Sequence, residues 1–397
     1  MIAWLLISFF VLLFLGVPIA MSLGLSAMGG ILFLGGGSTV TIAQRMFEGM
    51  NSFALLAIPL YTFAGFTMSK GGISKRLMDF CYSIVGHIYG GLAHVNVLSS
   101  MIFAGISGSA VADTAGVSGM FMPEMVRKGY SKNFTVAVTA ISSTIGIIIP
   151  PSIPMVVIAG ICGISTGKLF LGGIIPGVLC GLAQMIVSYF MAKKEGVPKE
   201  PGHFTIGPVL HGLWESWPAL LMPIIIVGTI TMGIVSPTEA GVIAVVYGLF
   251  AGGIIYRELK WEDIKFAFAE TVRTSGRIFI VIGAAKLYTV MLTTAGFDKW
   301  VAKTMLGFST NPTVILIVIL LIFFIVTMFM ESIATLTLFM PILYPIALGV
   351  GINPIVLSVL ITVVIGVGLV TPPVGMCIYV ACDLMDVTVG AVFPTLV

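Results

Sequence analysis

Charge is what this chain has least of. Only 9% of its 397 residues are Asp, Glu, Lys or Arg, against roughly 25% in an ordinary soluble protein, while 58% are hydrophobic. With a mean hydropathy of +1.15, the composition excludes a soluble globular domain and implies a polytopic membrane protein. Histidine falls to 4 residues and cysteine to 5. Cys81, Cys162, Cys180, Cys377 and Cys382 all lie in or beside apolar segments without metal-ligand spacing, so they read as packing residues. The net charge of +3 comes with no basic patch, which argues against nucleic acid as a partner. Apolar runs longer than strands, without period-two alternation, exclude a β-barrel. No basic segment precedes the first run, residues 2 to 15, which is therefore expected to remain as a membrane segment and not to be cleaved. The 47 Gly and 20 Pro are tolerable in membrane helices, where neighbouring segments re-satisfy the freed backbone groups.

What the chain does have is a stretch that occurs twice. Residues 105 to 154 contain Gly105-Ile-Ser-Gly-Ser-Ala-Val-Ala-Asp113 and then Gly146-Ile-Ile-Ile-Pro-Pro-Ser-Ile-Pro154. A shift of 218 places Asp113 on Glu331, Thr114 on Ser332 and Phe121-Met122-Pro123 on Phe339-Met340-Pro341. With four extra residues around 349 to 353, Gly146 and Pro150-Pro151 fall on Gly368 and Pro372-Pro373. Each copy reads as an apolar hairpin with an acid at its turn, followed by a helix broken at a Pro-Pro pair. Paired, interrupted hydrophobic segments of this kind point to a transporter's binding site.

The expected fold is an all-α polytopic membrane protein of two inverted-topology repeats. The first, 1–192, holds apolar segments at 2 to 15, 18 to 36 and 52 to 68, an arm at 69–90 read as interfacial, a hairpin at 92–127, a broken helix at 133–165 and a helix at 168–192. After a polar linker, 193–212, the second repeat, 213–397, holds scaffold helices in 214–256, an amphipathic arm at 257–277, a helix at 278–296, a hairpin at 312–349 and a broken helix at 354–385. By analogy with the first repeat a last helix should follow, and the chain stops about ten residues into it, which reads as a truncation. Fourteen of the 19 basic residues fall in four places, 70–76, 127–132, 193–199 and 257–277, and one threading puts all four on the cytoplasmic side. The two hairpins then enter from opposite sides. Lys299 and Lys303 run against that threading.

Asp113 with Ser107-Gly108-Ser109 is the sharpest chemical candidate, because an ionised carboxylate at hydrocarbon depth needs water, a cation or backbone donors. It is read either as the cap of the second hairpin arm or as part of a cation site, and the two are compatible. The Pro-Pro pairs free carbonyls near Gly146 to Ile149 and Gly368 to Thr371, where hydroxyls of Ser142, Ser143, Thr144, Ser152 and Thr371 would complete a site for a hard cation. Glu331, Ser332 and Thr335 repeat the first tip. Lys286 is read as snorkelling or pairing with a partner subunit, with a counter-ion for a carboxylate substrate as the alternative. Glu239 beside Pro237 is read as a cap, Trp214 and Trp217 as interfacial anchors, and His203 and His211 as solvated. Gly105-Ile-Ser-Gly-Ser109 lacks a strand-to-helix elbow and a histidine partner, so no enzyme is expected.

These residues resemble the large membrane (M) subunit of TRAP transporters, the tripartite ATP-independent periplasmic carriers of bacteria and archaea. The similarity runs along essentially the whole chain, with Ala57-Ile-Pro59, Gly71-Gly72-Ile-Ser74-Lys-Arg76, Ser107-Gly-Ser-Ala-Val-Ala-Asp113, Met125-Val-Arg-Lys-Gly-Tyr130, Ile148-Ile-Pro-Pro-Ser-Ile-Pro154, Ser236-Pro-Thr-Glu-Ala-Gly241 and Leu369-Val-Thr-Pro-Pro-Val-Gly375 as its most specific pieces. The resemblance implies an ion-transporter-superfamily fold with re-entrant hairpins, an elevator movement, Na+ coupling and import of an organic acid across the cytoplasmic (inner) membrane. It implies a first Na+ site at Ser107, Gly108, Ser109, Gly146, Ile149 and Pro150, to which Asp113 is added. A second is implied at Glu331, Ser332, Thr335, Gly366, Val370 and Thr371, where many relatives have Asp in place of Glu331. Substrate contacts are placed at Ser109, Pro151, Ser152, Thr335 and Pro373. The implied partners are a small four-helix membrane subunit (Q type), a periplasmic substrate-binding protein (P type), a carboxylate substrate and membrane lipid. The alternatives are a self-sufficient Na+/anion symporter of the same superfamily, or a channel-like membrane subunit.

Overall fold

A computed structural model describes residues 1–35, 38–197 and 204–396. Gly36 at the end of the second apolar segment, Lys199 and His203 of the linker, and Val397 lie outside the described residues. Every regular element among those described is helical.

Two short apolar helices, α1 (Ile2–Phe14) and α2 (Ile19–Leu34), meet at Gly16-Val17-Pro18 and pack on each other, with Trp4 Nε1 donating to Ser26 O at 3.3 Å. The helix that follows, α3 (Thr39–Met50), is absent from the sequence reading because its composition is polar. It is an exposed amphipathic helix capped by Ser38. A short 3-10 turn, Phe53–Leu56, leads into α4 (Ala57–Lys70). The segment expected as an interfacial arm is a full helix, α5 (Ile73–Val85), that buries Ile73, Leu77, Phe80 and Cys81. Next come the hairpin of α6 (Gly91–Ser107) and α7 (Ala110–Arg127), then α8 (Lys132–Ser143), a 3-10 turn at Thr144–Ile147 and α9 (Ile153–Cys162), with the Pro-Pro break between them.

The long helix α10 (Thr166–Lys194) closes the first half, and α11 (Ile206–Thr231) opens the second, so the linker is shorter than 193–212. α12 (Pro237–Phe250) starts at a capping box in which Glu239 Oε2 accepts from Ser236 N at 2.6 Å. It runs on through a π turn, Ala251–Ile255. The arm expected at 257–277 and the span expected at 278–296 are one helix, α13 (Trp261–Thr294), of 34 residues. No breaker separates its amphipathic beginning from its apolar end. α14 (Phe297–Phe308) was not foreseen. It leads to a second hairpin of α15 (Pro312–Thr327) and α16 (Ser332–Gly349), and then to α17 (Pro354–Gly368) and α18 (Met376–Met385) on either side of the second Pro-Pro break. The chain bends by 120° into α19 (Val389–Leu396), which packs on α8.

Among the described residues, six helical stretches are long and apolar enough to cross a bilayer, including α10, α11, α13 and α16. This is a multi-pass membrane protein. Ile175, Ile186 and Phe190 on α10 face outward at 60% exposure or more, as do Trp214 and Ile224 on α11, where acyl chains replace water. The opposite face of α10 carries Gly173, Gly177 and Gly181, small residues that let helix backbones approach in lipid. A β-carbon at Gly173 would stand 2.6 Å from Ile148 O, and one at Gly177 2.4 Å from Ile149 Cγ1. Thus α10 presses directly on the first break. The halves also interdigitate, α16 packing on α9 and α18 on α7 and α8.

Several polar ties gather the basic segments. Leu92 N donates to Tyr130 Oη at 3.1 Å and Ser131 Oγ to Glu195 Oε2 at 2.7 Å, bringing together the start of α6, the α7–α8 turn and the end of α10. Arg76 pairs with Glu258 at 2.6 Å and lies over the Tyr256 ring at 4.2 Å, joining the start of α5 to the end of the α12 segment.

Because overpacking beside a backbone carbonyl forces a shift, Gly173→Ala should lower the melting temperature of the detergent-solubilised protein, by an amount equivalent to roughly 1–3 kcal/mol. Gly276→Ala on α13, where nothing lies within 4 Å of the new methyl, should not. Equal melts for the two variants would contradict the close α10 contact.

Candidate functional site

The first hairpin turns in two residues. α6 ends at Ser107, Gly108 takes the left-handed region at φ +65°, and Ser109 caps α7 by accepting from Ala112 N at 3.4 Å. The cap is therefore Ser109, and the reading of Asp113 as the cap is corrected. Asp113 sits in the first turn of α7 with no exposure. Its Oδ1 accepts a hydrogen bond from Ser107 Oγ, while its Oδ2 is buried without a partner. That free oxygen faces Gly146, where a β-carbon would stand 2.0 Å from it. Only glycine leaves room there.

The tip is docked onto the break. Ile153 N donates to Gly108 O at 3.1 Å, supplying a partner for a carbonyl at the hairpin turn. Ser152 caps α9 through Met155 N (3.3 Å) and donates to Ile147 O at 2.5 Å, so one of the carbonyls expected to be free is already engaged. Both Pro-Pro peptides are cis. Gly108, Gly146, Pro150, Pro151 and Ser152 are buried, whereas Ser109 and Ile149 are half-buried. The hydroxyls of Ser143 and Thr144 donate to Thr139 O and Ile141 O at 2.7 Å each, so they turn into their own helix and not toward the tip.

At the second tip, Glu331 is the cap of α16. Its carboxylate accepts from Ile333 N (2.9 Å), Ala334 N (3.3 Å) and Ser332 Oγ (2.6 Å), and Thr335 Oγ1 donates to Glu331 O at 3.0 Å. Val374 N donates to Met328 O at 3.0 Å, again tying a break to the end of a hairpin arm. Thr371 Oγ1 bonds Val367 O at 2.7 Å. Val370 and Thr371 are half-buried and Pro373 is exposed. Gly366 lies against the first break, with Thr144 O 3.6 Å from its ideal β-carbon, while Gly368 is the residue packed on Thr327 of the second hairpin.

Helix bounds also correct the alignment of the two copies. α7 and α16 are each 18 residues long, with Pro123 and Pro345 at the same position in them, and a four-residue turn follows each. The offset from Pro123 to Pro345 is 222, so the extra residues fall at or before the second tip and not at 349–353. On this register Ser109 pairs with Glu331, and Asp113 pairs with Thr335. The two acids are not counterparts.

Sequence reasoning missed a buried polar cluster between α6 and α8. Asn96 Nδ2 donates to Thr139 Oγ1 at 2.7 Å, Ser142 Oγ to Asn96 Oδ1 at 3.1 Å, and Ser100 Oγ to Ser142 Oγ at 3.1 Å. The available signal was polar residues four apart, 96 and 100, inside an apolar run. Lys286 lies on α13 against α3, where a β-carbon at Gly49 would come within 2.6 Å of Lys286 Cβ and Glu48 is its acidic neighbour. Trp214 and Trp217 face outward, and His211 pairs with Glu215 at 3.2 Å. All five cysteines are unpaired. The donors collected at the first tip are carboxylate, hydroxyl and carbonyl oxygens, a set suited to a hard cation.

The fold has counterparts among solved structures. It matches the YdaH transporter of Alcanivorax borkumensis (TM-score 0.60, 13% identity, 88% of this chain and 83% of that one). It also matches MtrF of Neisseria gonorrhoeae, described with a class of antimetabolite efflux pumps (TM-score 0.60, 13% identity, 90% and 80%). Such low identity speaks for the fold alone. Residues 6–397 match the family described as tripartite ATP-independent periplasmic transporter, DctM component, and the chain belongs to that family, one of transporters and not of enzymes. It is 37% identical to the isethionate TRAP transporter permease protein DctMQ of Oleidesulfovibrio alaskensis, over 95% of this chain and 60% of that protein. It is 35% identical to the sialic acid large permease SiaM of Vibrio cholerae, over 95% and 88%. Against the C4-dicarboxylate large permease DctM of Pseudomonas aeruginosa it is 37% identical, over 93% and 86%.

The contact between Asp113 and Gly146 is open to a double-mutant test. Gly146→Ala should destabilise the chain by about 1–3 kcal/mol as an overpacking change. In an Asp113→Ala background most of that penalty should vanish, measured by thermal unfolding in detergent. An unchanged penalty would mean that Gly146 is kept for another reason.

Proposed function

We propose that this chain is the large membrane subunit of a sodium-coupled importer of organic acids, built as two inverted repeats that work as an elevator in the bacterial or archaeal cytoplasmic membrane. The observation that carries the reading is the unpartnered Asp113 oxygen, buried between the first tip and Gly146. At such depth a free carboxylate oxygen is costly unless a cation faces it. Ser107, Gly108, Ser109, Asp113, Gly146, Ile149 and Pro150 would hold the first Na+ carried. Glu331, Ser332, Thr335, Val370 and Thr371 would hold the second, with Gly366 linking that site to the first break.

The repeat reading is supported by equal second hairpin arms, by a Pro-Pro break after each hairpin, and by the N–H of each break bonding a carbonyl at a hairpin turn. Its inverted orientation is supported by the basic residues around α7, α8 and α10 and by their absence after Lys303. Relatives named for isethionate, sialic acid and C4-dicarboxylates have an organic anion in common. The positive N-terminal end of α7, capped only by the neutral Ser109, suits such a cargo, with Ser109, Pro151, Ser152, Thr335 and Pro373 as its contacts. The family's description as tripartite and periplasmic supports two partners, a small four-helix membrane subunit and a periplasmic binding protein. Inward movement of each net positive charge at 100 mV contributes ~2.3 kcal/mol.

The test is the melting temperature of the purified chain in NaCl, KCl and choline chloride, for wild type, Ser109→Ala and Asp113→Asn. Na+ bound only by the folded state stabilises it by ~2.7 kcal/mol at a hundred times Kd. A Na+-specific rise that both variants weaken is the expected result. Identical melts in the three salts would remove the sodium sites from the isolated subunit, and uptake into vesicles by this chain alone would remove the need for partners.

A further inference from the structure

The two hairpins are fastened to their broken helices by different forces. Between α6 and α8 the fastening is the hydrogen-bonded set Asn96, Ser100, Thr139 and Ser142, every member fully buried. Between α15 and α17 there is no equivalent. The α15 sequence from Val314 to Val326 carries no polar side chain, and Ile315, Ile319 and Phe323 are its buried residues before Thr327. The buried hydroxyls on α17, Ser358 and Thr362, turn back to Pro354 O and Ser358 O of their own helix at 2.7 and 2.8 Å.

These forces respond differently to sliding. Apolar packing is non-directional, so a small displacement of α15 on α17 exchanges one set of contacts for another. A slip of α6 on α8 strands several buried donors and acceptors at once, in surroundings that hold no replacement for them. The locked register leads straight to the first tip. Two turns beyond Ser100, α6 ends at Ser107, which bonds Asp113. One turn beyond Ser142 lies Gly146, which faces the free oxygen of Asp113.

We propose that Asn96, Ser100, Thr139 and Ser142 are positioning residues that keep the first cation cradle preformed, whereas the second hairpin, docked on its break by Val374 N on Met328 O and by apolar packing, opens more readily until ligand holds it. None of the four belongs to the set proposed above to contact Na+; Ser142, expected from the sequence among the cation ligands, turns its hydroxyl to Asn96 Oδ1 and Thr139 O at 3.1 Å. The inference rests on the sodium reading of the first tip and adds an order to it: the first site is fixed before the ion arrives, and the second is held shut by it.

Hydrogen exchange of the purified full chain in NaCl and in KCl tests this directly. In wild type, α6–α7 should exchange slowly in both salts, while the α15–α16 tip should slow only in NaCl. In a variant combining Asn96→Leu, Thr139→Val and Ser142→Ala, α6–α7 should become Na+-dependent. The Na+ concentration giving half of the thermal stabilisation should rise about tenfold, the ratio expected when one buried hydrogen bond of ordinary strength is lost. Should that variant fail to fold, Ser142→Ala alone is the milder probe, and Thr139→Ser, which keeps the hydroxyl, should behave as wild type. Equal exchange of the two hairpins in KCl would overturn the proposal, as would an unchanged Na+ midpoint in the folded variants. If instead wild type shows no Na+ response but α6–α7 is still the slower hairpin and the lock variants selectively loosen it, the sodium reading fails while the fastening role stands.

Discussion

A backbone group inside a bilayer has no water to turn to, and this constraint governs the structure at its two weakest points. Each Pro-Pro pair removes two donors and interrupts a helix within a long apolar stretch. The protein answers with a second piece of irregular backbone laid against the first. Gly108 O accepts from Ile153 N, and Met328 O accepts from Val374 N. A broken helix alone, or a hairpin tip alone, would leave such groups stranded, so each requires the other. Gly173 and Gly177 of α10 belong to the same solution, since their missing side chains let a continuous helix back the first break.

Much of this was legible in the sequence because it is written in residue types with one physical use. The Pro-Pro pairs, the long apolar runs and the Ser236-Pro-Thr-Glu239 cap were recovered at or near their observed positions. What escaped was amphipathic or defined by tertiary contact. α3 and α14 are too polar to register as spans, yet their apolar residues recur at helical spacing. The arm and span drawn within 257–296 were divided by composition, to which a continuous helix is indifferent.

At the site, the residue types were legible and their pairing was not. Two acids at an offset of 218 looked equivalent because Phe-Met-Pro recurs at that same offset. The helices instead obey the offset set by Pro123 and Pro345. A one-dimensional match cannot tell whether an insertion lies in a tip or in the turn after it, since both are short and both tolerate length. Only the helix bounds decide. The α6–α8 cluster was illegible for a related reason: Asn96 and Ser142 are unremarkable singly, and their meaning lies in facing each other.

The corrected pairing changes the chemistry assigned to the two tips. The longer turn before α16 puts Glu331 at the cap position, where its carboxylate is engaged by two backbone N–H groups and Ser332. Its negative charge is thus directed at its own helix, as the helix dipole favours. Asp113 stands one turn further in, beyond reach of the unpaired N–H groups that Ser109 serves, and keeps one oxygen free. At the matching place in the second half the chain has Thr335, a neutral hydroxyl already bonded to Glu331 O. A cation at the first tip would therefore meet an uncommitted carboxylate oxygen, whereas at the second it would meet a carboxylate already satisfied by donors. The two tips present unequal electrostatics, and the inequality follows from the longer turn that precedes α16.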